Sequence, residues 1–97
     1  MEEARAFLAH LLILEQQGLE LMATIVDANH GCLSYVDFFH LLPLKLRQQC
    51  SVRAGVAALE ALDRHSPAGL ARLVLSARWG QTRAFNATVR AAVESLA

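Results

Sequence analysis

The sequence predicts an all-α fold: a six-helix antiparallel bundle built by one domain spanning residues 1–97. Three observations carry that expectation. Apolar residues recur every three to four positions along most of the chain, the spacing of one face of a helix. Glycine, proline and capping residues divide that pattern into short segments. No alternating apolar run is bounded by turn chemistry, and no Asn-Gly or Asp-Gly hairpin occurs, so strands are not expected. With 55% hydrophobic and 19% charged residues, the chain has the apolar content of a packed core rather than of a disordered tail.

The first helix is expected over residues 4–17, with Ala4, Phe7, Leu8, Leu11, Leu12 and Glu15 on one stripe. Ile13 and Leu14 widen its apolar face, and Gly18 breaks it. A second short helix carries Leu19, Met22, Ile25 and Val26 and ends in Asn29-His30-Gly31, a left-handed cap. Ser34 with Asp37 three residues later resembles a capping box and starts the third helix. This helix buries Phe38, Leu41 and Leu42 or their neighbours and stops at Pro43, which disfavours helical geometry in the residue before it. Residues 44–50 read either as a loop or as an early turn of the fourth helix. From Ser51 the pattern returns with Val52, Val56, Leu59 and Leu62, alanines filling the gaps and allowing neighbours to approach closely. Ser66-Pro67 places a capping hydroxyl before a proline at the first helical position, starting a fifth helix that runs to Trp79 and ends at Gly80. Leu70, Leu73, Val74 and Ala77 are its apolar positions. The sixth is capped by Thr82 and shows Phe85, Val89, Ala92, Val93 and Leu96 on one face.

Nine basic and nine acidic residues cancel. A nucleic-acid domain normally carries a basic excess, so no nucleic-acid partner is expected. A formal charge of zero removes the repulsion that keeps copies apart, and a homo-oligomer is expected. Two cysteines make no disulfide framework and point to a reduced, cytoplasmic setting. The apolar run 7–14 contains His10 and is too short to span a bilayer, and acids at positions 2 and 3 argue against a signal peptide. No membrane partner is expected.

Candidate chemistry is sparse. The stretch from Asp27 to Phe38 is similar to a calcium-binding EF-hand loop, which wants oxygen ligands at positions 1, 3 and 5, glycine at 6 and glutamate at 12. Here Gly31 falls at position 5, Asp37 at 11 and Phe38 at 12, so the strongest ligand is missing. A degenerate EF-hand regulator is the remote alternative. His30, Cys32, His40 and Cys50 have no common zinc-site spacing, and Cys32 occupies an apolar position. There is no glycine-rich elbow or phosphate loop, so neither catalysis nor a cofactor or metal is expected. Trp79, before Gly80, reads as a plug at the edge of the core.

Two segments carry a family resemblance. G-C-L-S-Y-V-D-F-F, from Gly31, is similar to the junction of the second and third helices in caspase-recruitment domains of the death-fold superfamily. A-L-E-A-L-D-R-H-S-P-A-G-L, residues 58–70, resembles the junction of their fourth and fifth helices. Helix order and length agree across the chain, while the connector 44–50 is apolar and basic where the family is commonly polar. The resemblance implies a non-catalytic adaptor that recruits like domains, its own or another protein's, into signalling or defence complexes such as those of apoptosis and innate immunity. The effector would lie elsewhere in a longer chain or in a partner. In such domains an acidic face of one copy docks on a basic face of the next, a head-to-tail contact that adds copies without closing. Acids dominate here before residue 40 and bases between 45 and 53, so the partner-binding residues are expected to be Glu20, Asp27 and Asp37 against Lys45, Arg47, Arg53 and Arg64. The alternative is a helical scaffold that forms a closed homodimer through the apolar stripe of its first helix.

Overall fold

A computed structural model describes residues 2–14, 16–29, 34–67, 69–78, 80 and 82–96. Among the described residues all regular structure is helical, in seven helices. The seventh is gained in the connector 44–50, where Leu44–Arg47 forms a separate single turn, α4. The other six match the expected order: α1 (Glu2–Leu12), α2 (Gln16–Ala28), α3 (Tyr35–Leu41), α5 (Val52–His65), α6 (Leu70–Arg78) and α7 (Thr82–Ser95).

Helix α1 opens with Glu2 and Glu3, whose charges complement the positive end of the helix dipole. It buries Ala4, Phe7, Leu8 and Leu11, the predicted stripe. It does not continue to residue 17. The chain turns after Leu12, where the Leu14 N–H reaches the Leu11 carbonyl at 3.4 Å. Glu15 lies outside the described residues. Gly18 is inside α2 rather than a break: a Cβ there would stand 2.9 Å from Leu14 Cδ2, so the glycine seats the leucine that turns the corner. Ile13, assigned to the apolar face from sequence, points outward instead and is 74% exposed.

Helix α2 buries Leu19, Met22, Ala23 and Val26 and packs mainly on α6. At its end the Asn29 amide donates to the Ile25 carbonyl at 2.8 Å. His30 and Gly31 of the expected cap lie outside the described residues. Helix α3 begins as predicted, with Ser34 Oγ accepting from the Asp37 N–H at 3.2 Å. Phe38, Phe39 and Leu42 are buried and Leu41 is not. Adjacent side chains on a helix diverge by about 100°, so only one of Leu41 and Leu42 can face inward. Leu42 adopts extended geometry (φ −69°, ψ 156°) ahead of Pro43, which ends the helix.

Helix α5 is the centre of the packing, against α1, α3, α6 and α7. Ser51 caps it, accepting from the Ala54 N–H at 3.2 Å. Its buried face is Ala54, Gly55, Ala58, Leu59, Ala61 and Leu62, while Val52 is exposed and Val56 half-buried. The small residues, not the valines, face inward because four helices must approach one axis. The closest approach is at Gly55, where a Cβ would lie 2.3 Å from Phe39 Cε2. The Phe39 ring in turn meets Phe7 with centroids 5.9 Å apart. Phe39 pairs with the start of α5, and Tyr35 with its end, so α3 runs antiparallel to α5.

The start of α6 differs from the Ser66-Pro67 cap. Ser66 closes α5, its N–H reaching the Asp63 carbonyl, and its hydroxyl donates to the Gly69 carbonyl at 2.9 Å. Gly69 takes φ +90°, and the helix begins only at Leu70, whose N–H is capped by Asp63 Oδ1 at 2.7 Å. Left-handed Gly69 reorients the chain after Pro67, and a carboxylate from the preceding helix replaces the expected hydroxyl. Leu70, Leu73, Val74 and Ala77 are buried as predicted. Gly80 has φ +88°, as its terminating role requires. Thr82 is the first residue of α7 rather than its cap, and Phe85, Val89 and Ala92 are buried with Val93 and Leu96 beside them. The resulting core draws on every helix, α4 included through Leu46. No helix among the described residues is long and apolar enough to cross a membrane.

Candidate interaction surface

Asp63 in the last turn of α5 organises one side of the molecule. One carboxylate oxygen accepts from the Leu70 N–H, and the other accepts from the Tyr35 hydroxyl. The hydrogen bond to Asp63 pushes the Tyr35 pKa up to about 12, with burial and the negative charges of Asp63 and Glu60 adding to it against Arg64. The carboxylate thus holds α3 and α6 on α5. Nothing in the spacing of the sequence marks this residue.

The predicted bases separate into two places. Lys45 on α4 and Arg53 in the first turn of α5 are exposed on either side of the connection 48–51. Arg47 stands between them but is half-buried, its Nε donating to the Leu42 carbonyl at 2.8 Å. Part of its role is therefore to finish α3. Arg64 lies eleven residues beyond Arg53 on almost the same line of α5, about 16 Å along the axis, with exposed Glu60 on that line between them. Arg64 consequently does not join the other three.

The acids divide as well. Glu20 and Asp27 are exposed on the outer stripe of α2, about 10 Å apart. Asp27 Oδ2 lies 4.0 Å from Arg78 Nη1, an exposed contact that ties α2 to α6 weakly. Asp37 is exposed on α3, which packs on α5, and so stands on the side of the molecule that carries the bases. Charge sorted along the chain is not sorted into two uninterrupted faces.

What charge reasoning overlooked is apolar. Leu41, Leu44 and Val52 are 50%, 59% and 40% exposed, and Val36, Leu21 and Ile13 complete the large exposed hydrophobics among the described residues. A signal existed: the run L-L-P-L-K-L from Leu41 has too many leucines for a helix-stop-helix corner to bury. Leu42 and Leu46 go in, and Leu41 and Leu44 stay out.

Other chemistry finds little footing. Phe38, at the twelfth position of the EF-hand-like stretch, is buried, and residues 30–33 of that stretch lie outside the described residues. No group of three or more His, Cys, Asp and Glu side chains able to hold a metal occurs among the described residues, while His30 and Cys32 lie outside them. Burial, aided by the Glu3 charge, pushes the Cys50 thiol pKa up, away from the reactive thiolate. Trp79 lies outside the described residues. An open groove of about 560 Å³ beside α1 has Glu2, Glu3, Arg5 and Gln49 on its walls.

Compared with known proteins, the chain matches no family model, no curated protein and no solved structure.

Proposed function

We propose that this chain is a non-catalytic interaction module of the death-fold kind, similar to caspase-recruitment domains, that binds like domains head to tail in the cytoplasm. Its role is then to gather attached or associated effectors, so that their encounters become effectively intramolecular. The observation that carries the reading is a pair of unlike exposed surfaces on one small helical unit. One is the α4–α5 junction with Lys45 and Arg53, and the other is the outer stripe of α2 with Glu20 and Asp27. Two supports come from the segments that carry the family resemblance: the Ser34 cap of α3 and the tightly built α5–α6 junction. Within this reading α4 is an added turn between the third and fourth helices of the family's six. Arg47, Arg64 and Asp37 flank the two surfaces rather than centring them.

A closed dimer through the α1 stripe finds less support, because Ala4, Phe7, Leu8 and Leu11 are at most 1% exposed. Sedimentation velocity at rising concentration separates the two. A head-to-tail contact keeps adding copies, whereas a closed dimer stops at two. Reversing charge at Lys45 and Arg53 together should abolish growth with helicity unchanged. Growth unaffected by that double reversal would refute the reading.

A further inference from the structure

Resting on that reading, we infer that Arg47 is a positioning residue of the docking surface rather than one of its charges. Its side chain holds the single turn of α4, and with it Lys45, in the place from which a second copy is met. Four residues do not sustain a helix in water, so α4 stands only as far as the rest of the fold supports it. Its backbone bonds are few. The Leu46 and Arg47 N–H groups reach the Pro43 carbonyl at 3.0 and 3.2 Å, and the Gln48 N–H reaches the Leu44 carbonyl at 2.9 Å. Two of its side chains tie it down: Leu46 is buried in the core, and Arg47 Nε donates to the Leu42 carbonyl at 2.8 Å.

That carbonyl lies outside both helical ladders. Leu42 is the extended C-cap of α3, and the bonds of α4 begin at the Pro43 carbonyl. Arg47 therefore closes a clasp across Pro43, from the end of α4 back to the end of α3. Helix α3 is in turn seated on α5, where Phe39 meets Gly55 one turn or less beyond Arg53. Through these joints Lys45 is held at a set position relative to Arg53, and both side chains stay exposed. A docking group fixed before the encounter loses less freedom on binding than a mobile one. Half-buried Arg47 serves as the strut and exposed Lys45 as the contact.

The test uses two neutral replacements of similar length and helix propensity. Glutamine carries its amide nitrogen as many bonds from the backbone as Nε of arginine, and methionine carries a methyl there. Arg47→Gln thus loses the charge and keeps the donor, whereas Arg47→Met loses both. Circular dichroism and thermal melting check that each folds. In dilute solution the Cα chemical shifts of residues 44–47 should stay helical in Arg47→Gln and move towards coil values in Arg47→Met. By sedimentation equilibrium Arg47→Gln should self-associate within about threefold of wild type and Arg47→Met about tenfold more weakly, since a turn formed one time in ten lowers the apparent affinity by that factor. If the two variants associate alike, weakened or not, the donor is not what matters and the positioning role is refuted. Helical shifts retained in Arg47→Met refute the strut directly, while head-to-tail docking is still judged by Lys45→Glu with Arg53→Glu. If the wild-type chain stays monomeric at millimolar concentration, this inference and the function it rests on both fall.

Discussion

Replacing Gly55 by alanine sets two known effects against each other, and the structure decides the sign. Gly55 lies inside α5, where alanine is favoured over glycine by about 1 kcal/mol on helix propensity alone. Yet the new methyl would fall 2.3 and 2.4 Å from Phe39 Cε2 and Cδ2. Carbon atoms rest at about 3.5–4.0 Å, so the ring must retreat by more than about 1 Å. It has little room to do so. Phe39 is 2% exposed and packs against the Phe7 ring, which is itself fully buried. Overpacking of this kind costs about 1–3 kcal/mol, and if α3 is pushed off its seat the loss approaches the roughly 3–5 kcal/mol of deleting a buried phenylalanine. An approach as close as 2.3 Å to a buried ring belongs in the upper part of the overpacking range, about 2–3 kcal/mol. After the propensity gain, Gly55→Ala should therefore destabilise by about 1–2 kcal/mol, a fall in Tm of roughly 4–16 °C in a chain of this size. Urea unfolding of Gly55→Ala, Phe39→Leu and the double variant measures it. The double variant should lose less than the sum of the singles, since the smaller side chain vacates the space the methyl takes. A single variant more stable than wild type by the propensity increment would show that Phe39 does not sit on Gly55.

Other substitutions test separate joints. Tyr35 is the only tyrosine, so a spectrophotometric titration follows it alone, and ionisation should come near pH 12 rather than 10. Its folded pKa is raised, so its stabilising contribution is complete below pH 10 and is lost as pH climbs from 10 towards 12; Tyr35→Phe should remove that alkaline dependence. Asp63→Ala should cost about 1–3 kcal/mol by urea unfolding, because it orphans the Leu70 N–H and the Tyr35 hydroxyl together. Ser34→Ala and Ser51→Ala should each cost about 1 kcal/mol, and the losses should add because the caps serve different helices. At Gly80 a Cβ meets open space but φ is +88°, so Gly80→Ala should destabilise by about 1 kcal/mol through backbone strain and Gly80→Asn by less.

The helices were largely legible because their periodicity and caps are local. Ser34 and Pro43 act within one turn of the residues that name them, and they stand where the sequence places them. The misreadings share one cause, which is that the deciding contact comes from elsewhere in the chain. Gly18 reads as a breaker until Leu14 is seen resting on it, and Ser66-Pro67 reads as a helix start until Asp63 supplies the cap from across the turn. Val52 reads as core until α5 is seen to turn its small residues inward. The charge pattern misled in the same way. Position in sequence put Asp37 with Glu20 and Asp27, but α3 packs on α5 while α2 packs on α6.

The double use of the Asp63 carboxylate bears on how the molecule opens. Helices of seven and nine residues are too short to persist in water by themselves, so α3 and α6 each exist through docking. Both are fastened to the same side chain, and a fluctuation that frays the end of α5 loosens the two of them at once. In native-state hydrogen exchange their amides should therefore open as one cooperative unit, below the global unfolding energy and ahead of α1 and α7. A partner that clasps α3 would then slow exchange in α6 on the far side of the shared carboxylate, without touching it.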